Sequence, residues 1–245
     1  MKKKIMDVDV NYEFNNIDAA VTLVFLHGWG QNIQMMEPIA KMFKDRYNTL
    51  IVDLPGFGMS SEPLVIWGIE EYTLMVRKLI EELKIGDVIL IGHSFGGRIA
   101  LVYASKYKVK KLVCLASPYC KELTKLPLKN RIYKQAKKIK CLRWLAKIMQ
   151  NKVGSLDYRN ASDTMRGVLV KTVNTDLSEY AKKISAPTLL IWGSMDEAVP
   201  VQRAYELEKL IKDSGVVVYE GCTHYAYLER LGQTISVLRS FLGGE

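Results

Sequence analysis

The chain has 245 residues, about half of them apolar, and carries 35 Lys and Arg against 26 Asp and Glu for a net charge of +9. That length and apolar content suffice for one sizeable core and call for no second independent domain, while the absence of any long uncharged apolar run excludes a membrane-spanning segment. The first residues, Met1-Lys-Lys-Lys4, resemble the start of a signal peptide, but Asp7 and Asp9 interrupt the next stretch and no apolar h-region appears, so a cytoplasmic protein is expected.

Taken in chain order, the apolar patterning predicts strands over residues 5–14 and 21–27, a helix over 34–43, and a strand over 49–53. A helix over 70–84 and a strand over 87–91 come next, then a helix over 95–106 and a strand over 110–116. The rhythm breaks between residues 118 and 185, which lack a β-like run and hold several helix-like stretches. It resumes with a strand over 186–192, a helix over 201–212, a strand over 215–220 and a C-terminal helix over about 234–241. Alternating strands and helices of this kind predict an α/β fold, a mostly parallel sheet with helices on both faces. The near-continuous apolar run from residue 87 suits a central strand covered on both sides. The expected organisation is a core of residues 1–117 and 186–245 with an inserted helical cap at 118–185.

Three strand ends carry the chemistry. Gly92-His-Ser-Phe-Gly96 lies between a strand and a helix, where the small residues flanking a serine permit a strained turn that lifts its hydroxyl above the sheet edge. Ser94 is therefore the candidate nucleophile, against the bland reading of a glycine-rich connection with an incidental serine. A serine hydroxyl is a poor nucleophile until a histidine takes its proton and a carboxylate orients that histidine. Of the three histidines, His27 sits in His-Gly-Trp-Gly30 and His93 lies inside the turn itself, which leaves His224, on a loop after the strand at 215–220. The loop leaving the strand at 186–192 supplies Asp196, with Glu197 as its nearest rival. Ser94, Asp196 and His224 occur in the order that the serine turn motif predicts. Acyl transfer also needs preformed donors for an oxyanion, and the backbone N–H groups of Trp29 and Phe95 are placed to supply them.

With these motifs assembled, the chain resembles the α/β-hydrolase superfamily, serine carboxylesterase-like, along nearly all its length. His27-Gly-Trp-Gly30, Asp53-Leu-Pro-Gly-Phe-Gly58, Gly92-His-Ser-Phe-Gly-Gly97, Gly193-Ser-Met-Asp196 and Gly221-Cys-Thr-His224 carry the resemblance. It implies nucleophile, acid and base roles for Ser94, Asp196 and His224, and a structural turn rather than a ligand site at residues 53–58. A serine rather than an aspartate at position 94 argues against dehalogenase and epoxide hydrolase chemistry and favours esters or thioesters. The same triad serves carbon–carbon bond hydrolases and acyltransferases, and some superfamily members are ligand-binding signalling modules with vestigial hydrolysis; all of these remain open at this level.

Residues 118–185 hold sixteen Lys and Arg against five Asp and Glu, a charge of +11, so the rest of the chain sums to −2. One reading is a solvated helix face; the other is attraction of an acidic partner, with apolar residues such as Trp144 turned toward an acyl chain beneath the cap. The pairing of His-Gly-Trp-Gly with a basic helical cap is similar to that of pimeloyl-carrier-protein methyl ester carboxylesterases. The expected substrate is thus a small-molecule or carrier-bound acyl ester lying against Trp29, Phe95 and Trp144. No nucleic-acid recognition motif accompanies the charge. Cys114, Cys120, Cys141 and Cys222 form no CxxC pair and no Cys/His ligand cluster, so reduced thiols, no metal and no cofactor are expected.

Overall fold

The structure is a computed structural model that describes residues 1–121, 159 and 161–243. Eight strands form one sheet: β1 (Lys2–Ile5), β2 (Val8–Asn15), β3 (Val21–Leu26), β4 (Asn48–Val52), β5 (Asp87–His93), β6 (Lys111–Leu115), β7 (Thr188–Gly193) and β8 (Ser214–Tyr219). Their order is β1-β2-β4-β3-β5-β6-β7-β8. The pairs β1–β2 and β2–β4 are antiparallel, and every pair from β4–β3 to β7–β8 is parallel. The helices among the described residues are α1 (Glu37–Ala40), α2 (Ile69–Glu82), α3 (Phe95–Lys106), α4 (Asp163–Val173), α5 (Ser178–Ala181), α6 (Gln202–Glu208), α7 (Ala226–Glu229) and α8 (Leu231–Leu242). No helix among the described residues is long and apolar enough to cross a membrane.

The period-two geometry of a strand divides each central strand between two cores. Val24 and Leu26 of β3, with Val88 and Leu90 of β5, face the core shared with α2, α3 and α6. Leu23, Phe25, Ile89 and Ile91 face the opposite core, closed by α1 and α8. Both faces are covered, which is why β3 to β7 read as almost uninterrupted apolar runs. All the parallel strands end at one edge of the sheet, where Leu26 lies level with Gly92, His93 with Leu115, and Gly193 with Tyr219.

Several element predictions need correction. The single strand expected over 5–14 is a hairpin, because Met6 and Asp7 both adopt positive φ (50° and 64°) and reverse the chain. Neither is a glycine, so the turn carries no composition signal. The helix expected over 34–43 is a short 3-10 turn (Ile33–Met35) followed by α1, with Pro38 in the first turn of α1 where no N–H is needed. The helix expected over 201–212 closes at Glu208. Near the C-terminus α7 was not expected, and α8 begins three residues earlier than the pattern suggests.

Candidate active site

Ser94 stands between the end of β5 and the start of α3 with φ 49° and ψ −108°, a conformation that L-residues other than glycine rarely adopt. Two backbone bonds hold it there: Ser94 N–H donates to Leu115 O at 2.9 Å and Gly96 N–H donates to His27 O at 3.0 Å. The second draws the turn so close to β3 that a Cβ on Gly96 would stand 2.2 Å from the Leu26 carbonyl oxygen. Glycine at 96 is thus a packing requirement.

Asp196 and His224 come from the loops after β7 and β8. His224 Nδ1 lies 2.7 Å from Asp196 Oδ2. The Asp196 side chain is buried, and its second oxygen, Oδ1, accepts from the N–H groups of Ala198 (2.9 Å) and Val199 (2.8 Å), so the carboxylate is fully engaged without solvent. Glu197, the rival acid, is exposed. The two loops are tied together, with Met195 N–H donating to Cys222 O at 2.9 Å and Gly221 N–H to Ser194 Oγ at 2.9 Å. Glu229 secures the His224 loop from beyond, accepting from both the N–H and the hydroxyl of Thr223, and these bonds hold its carboxyl below the usual range.

His93 joins the serine turn to this pair. Its ring contacts that of His224 at a centroid distance of 4.9 Å, and its Nε2 lies 3.1 Å from His224 O. Because His93 immediately precedes Ser94, His224 is seated against the turn that carries the serine.

The expected oxyanion donors sit across the site from these loops. Phe95 is the first residue of α3, where an N–H has no acceptor within the helix. Trp29 follows β3, and its N–H makes no hydrogen bond among the described residues. Their rings lie 5.3 Å apart and belong to a cluster with Phe57, 4.8 Å from Trp29, and Tyr72, 5.0 Å from Phe95. Trp29 keeps partial exposure, whereas Phe95 is buried. The third expected substrate contact, Trp144, lies outside the described residues, as does Cys141. Sequence reasoning missed Phe57, Tyr72 and Trp67, whose ring lies 5.4 Å from that of Tyr72, as parts of this wall; their signal is weak, since aromatics at turns and on helices are common core residues.

The other motif residues are structural. His27 is buried, its Nδ1–H donating to Gly28 O (2.7 Å) while Nε2 accepts from Leu54 N–H (2.9 Å), and burial pulls its pKa down to about 4. The Asp53 carboxylate accepts from Ile33 N–H, Asn11 Nδ2 and Met59 N–H, each at 2.8 Å. It closes the turn at residues 53–58, as the resemblance implies. Among the described residues no group of three His, Cys, Asp or Glu side chains is arranged to hold a metal ion.

This architecture has known counterparts. The family described as alpha/beta hydrolase fold matches residues 21–138 and 127–231, most of the chain. The chain belongs to that family. It is 25% identical over 244 residues to the pimeloyl-[acyl-carrier protein] methyl ester esterase of Aliivibrio fischeri (strain MJ11), covering 90% of this chain and 93% of that one. It is 28% identical over 252 residues to the monoacylglycerol lipase ABHD6 of Mus musculus, covering 90% and 75%. Among solved structures, the enol-lactonase from Burkholderia xenovorans LB400 superposes with a TM-score of 0.79 over 99% of both chains at 18% identity, a likeness of fold alone.

Proposed function

We propose that this α/β hydrolase is a serine carboxylic ester hydrolase, acting on esters or thioesters through Ser94, His224 and Asp196 and an acyl-enzyme intermediate. The observation that carries the reading is the 2.7 Å pair between His224 Nδ1 and buried Asp196, seated against the strained serine turn. With Nδ1–H held by Asp196, the free Nε2 of His224 is the base.

In this reading Ser94 Oγ attacks the acyl carbonyl carbon as its proton passes to His224 Nε2. The Trp29 and Phe95 N–H groups stabilise the oxyanion. Collapse breaks the bond to the leaving alcohol or thiol, which departs with the proton from His224 and leaves an acyl group on Ser94. Water then attacks the acyl carbon, giving a proton to His224, and the second collapse returns that proton to Ser94 and releases the acid. Residues 118–185 act as a cap, and its charge of +11 docks an acidic carrier that presents the acyl chain. The named activities of the esterase relatives support ester chemistry.

The test is hydrolysis of p-nitrophenyl esters from acetate to laurate by wild type and Ser94→Ala, at low and high salt, with acyl-carrier protein as competitor. Serine-dependent turnover with a chain-length optimum, inhibited by carrier at low salt only, is expected. Full activity in Ser94→Ala sinks the catalytic assignment, and indifference to the carrier sinks the docking role of the cap.

A further inference from the structure

Two buried histidines flank the serine turn, and their surroundings differ in a way that matters. The partners of His27 determine its tautomer, since one ring nitrogen faces an acceptor and the other a donor. His93 faces two acceptors. Its Nε2 lies 3.1 Å from the backbone carbonyl of His224, and its Nδ1 lies 3.1 Å from Gln31 Oε1. That amide oxygen in turn accepts from Gly28 N–H at 2.8 Å, in the loop that carries Trp29. Rings of His224, Tyr225 and Tyr227 pack within 5.5 Å of the imidazole and leave it no water.

A neutral imidazole has one N–H and can satisfy only one of two acceptors. The Gln31 oxygen already has a donor in Gly28 N–H, whereas the carbonyl of His224 faces the imidazole for its donor. The proton therefore belongs on Nε2. We propose that His93 is a positioning residue: its neutral ring, protonated on Nε2, holds the backbone of His224 and so sets where the His224 imidazole meets Ser94. The proposal rests on the hydrolase reading of Ser94 and His224. Burial supports the neutral state, lowering the His93 pKa to about 3, with the neighbouring His224 charge adding to the effect. The position of a catalytic base is sensitive at the ångström scale, where a displacement of about 1 Å costs up to about 100-fold in rate.

The experiment compares His93→Phe, which keeps a ring but loses the donor, with His93→Gln, whose amide nitrogen occupies the place of Nε2. Expected for His93→Phe is a kcat lower by about 10- to 100-fold with KM within about twofold, and fluorophosphonate labelling of Ser94 slowed in parallel. His93→Gln is expected to recover most of both. An unimpaired His93→Phe, or equal impairment in the two variants, overturns the proposal. Should His93→Phe fail to fold, the histidine ring ¹⁵N spectrum of the wild type decides, because the Nε2–H neutral form is expected at pH 7 and an Nδ1–H form or an imidazolium overturns it. If the wild type neither hydrolyses esters nor reacts with the fluorophosphonate, the hydrolase reading has failed, and the ring spectrum still decides whether His93 holds the His224 carbonyl.

Discussion

Arg98, one helical turn beyond Ser94, donates a hydrogen bond of 2.9 Å from its guanidinium to the backbone carbonyl of Thr172. The same buried group also donates to Thr175 O and to Pro118 O. One side chain on α3 thus fastens both the point where the chain leaves β6 and the point where it returns toward β7. Burial lowers its pKa to about 10, which leaves it charged at neutral pH.

Replacing Arg98 with Met strips three carbonyls of a charged donor. A loss of about 3 kcal/mol is expected, since each bond to a charged group contributes about 1.5–3 kcal/mol and the sites partly relax. Urea unfolding of Arg98→Met and Arg98→Lys checks this, with Lys recovering part of the loss. Unchanged stability in Arg98→Met rules out the clamp.

Asp196→Asn separates orientation from packing. The carbonyl of the new amide can take over the bonds from Ala198 and Val199, which leaves its NH2 facing His224 Nδ1. That inverts the imidazole tautomer and places a proton on Nε2, where the base needs a lone pair. A fall in kcat of about 10⁴-fold with an intact fold is expected. Esterase kinetics together with circular dichroism measure both.

Asp53→Ala should act on stability and spare chemistry. It removes the acceptor for Ile33 N–H, Asn11 Nδ2 and Met59 N–H inside the fold. A loss of about 3 kcal/mol with kcat changed by less than about threefold is expected. A specific loss of kcat in a stable Asp53→Ala protein points instead to a direct part in the site.

Acid should unfold this protein early. His27 and His93 have folded pKa values of about 4 and about 3, both below the unfolded value of 6.5, because burial excludes the charged ring. The unfolded state therefore binds more protons than the native state between about pH 4 and 6.5, and stability is full above 6.5 and falls as pH drops through that window. Each ring contributes about 1.4 kcal/mol per pH unit, so the two together cost about 4 kcal/mol by pH 5. Urea midpoints measured from pH 7.5 to 4.5 test the slope.

The places of Trp29, Ser94, Phe95, Asp196 and His224 at the strand ends follow from local pattern, while Trp144 lies outside the described residues. Apolar runs bounded by glycine locate the strands, and parallel strands must end at one edge, so the loops holding Trp29, Ser94, Asp196 and His224 share a rim. The glycines two before and two after Ser94 marked it in the sequence as the residue of a strained turn, and the close approach to β3 is the structural reason for glycine at 96. The Met6–Asp7 reversal was not legible, because positive φ there is imposed by pairing β1 against β2 and not by the residues themselves.

What only the tertiary structure decided are contacts between groups distant in the chain. The bridge from Gln31 through His93 to His224 and the grip of Arg98 on Pro118, Thr172 and Thr175 join residues 20 to 131 positions apart. Periodicity reports which face of an element is buried. It carries no information on which buried polar group finds which partner, because that is settled only when the sheet has assembled and every donor and acceptor removed from water must be matched.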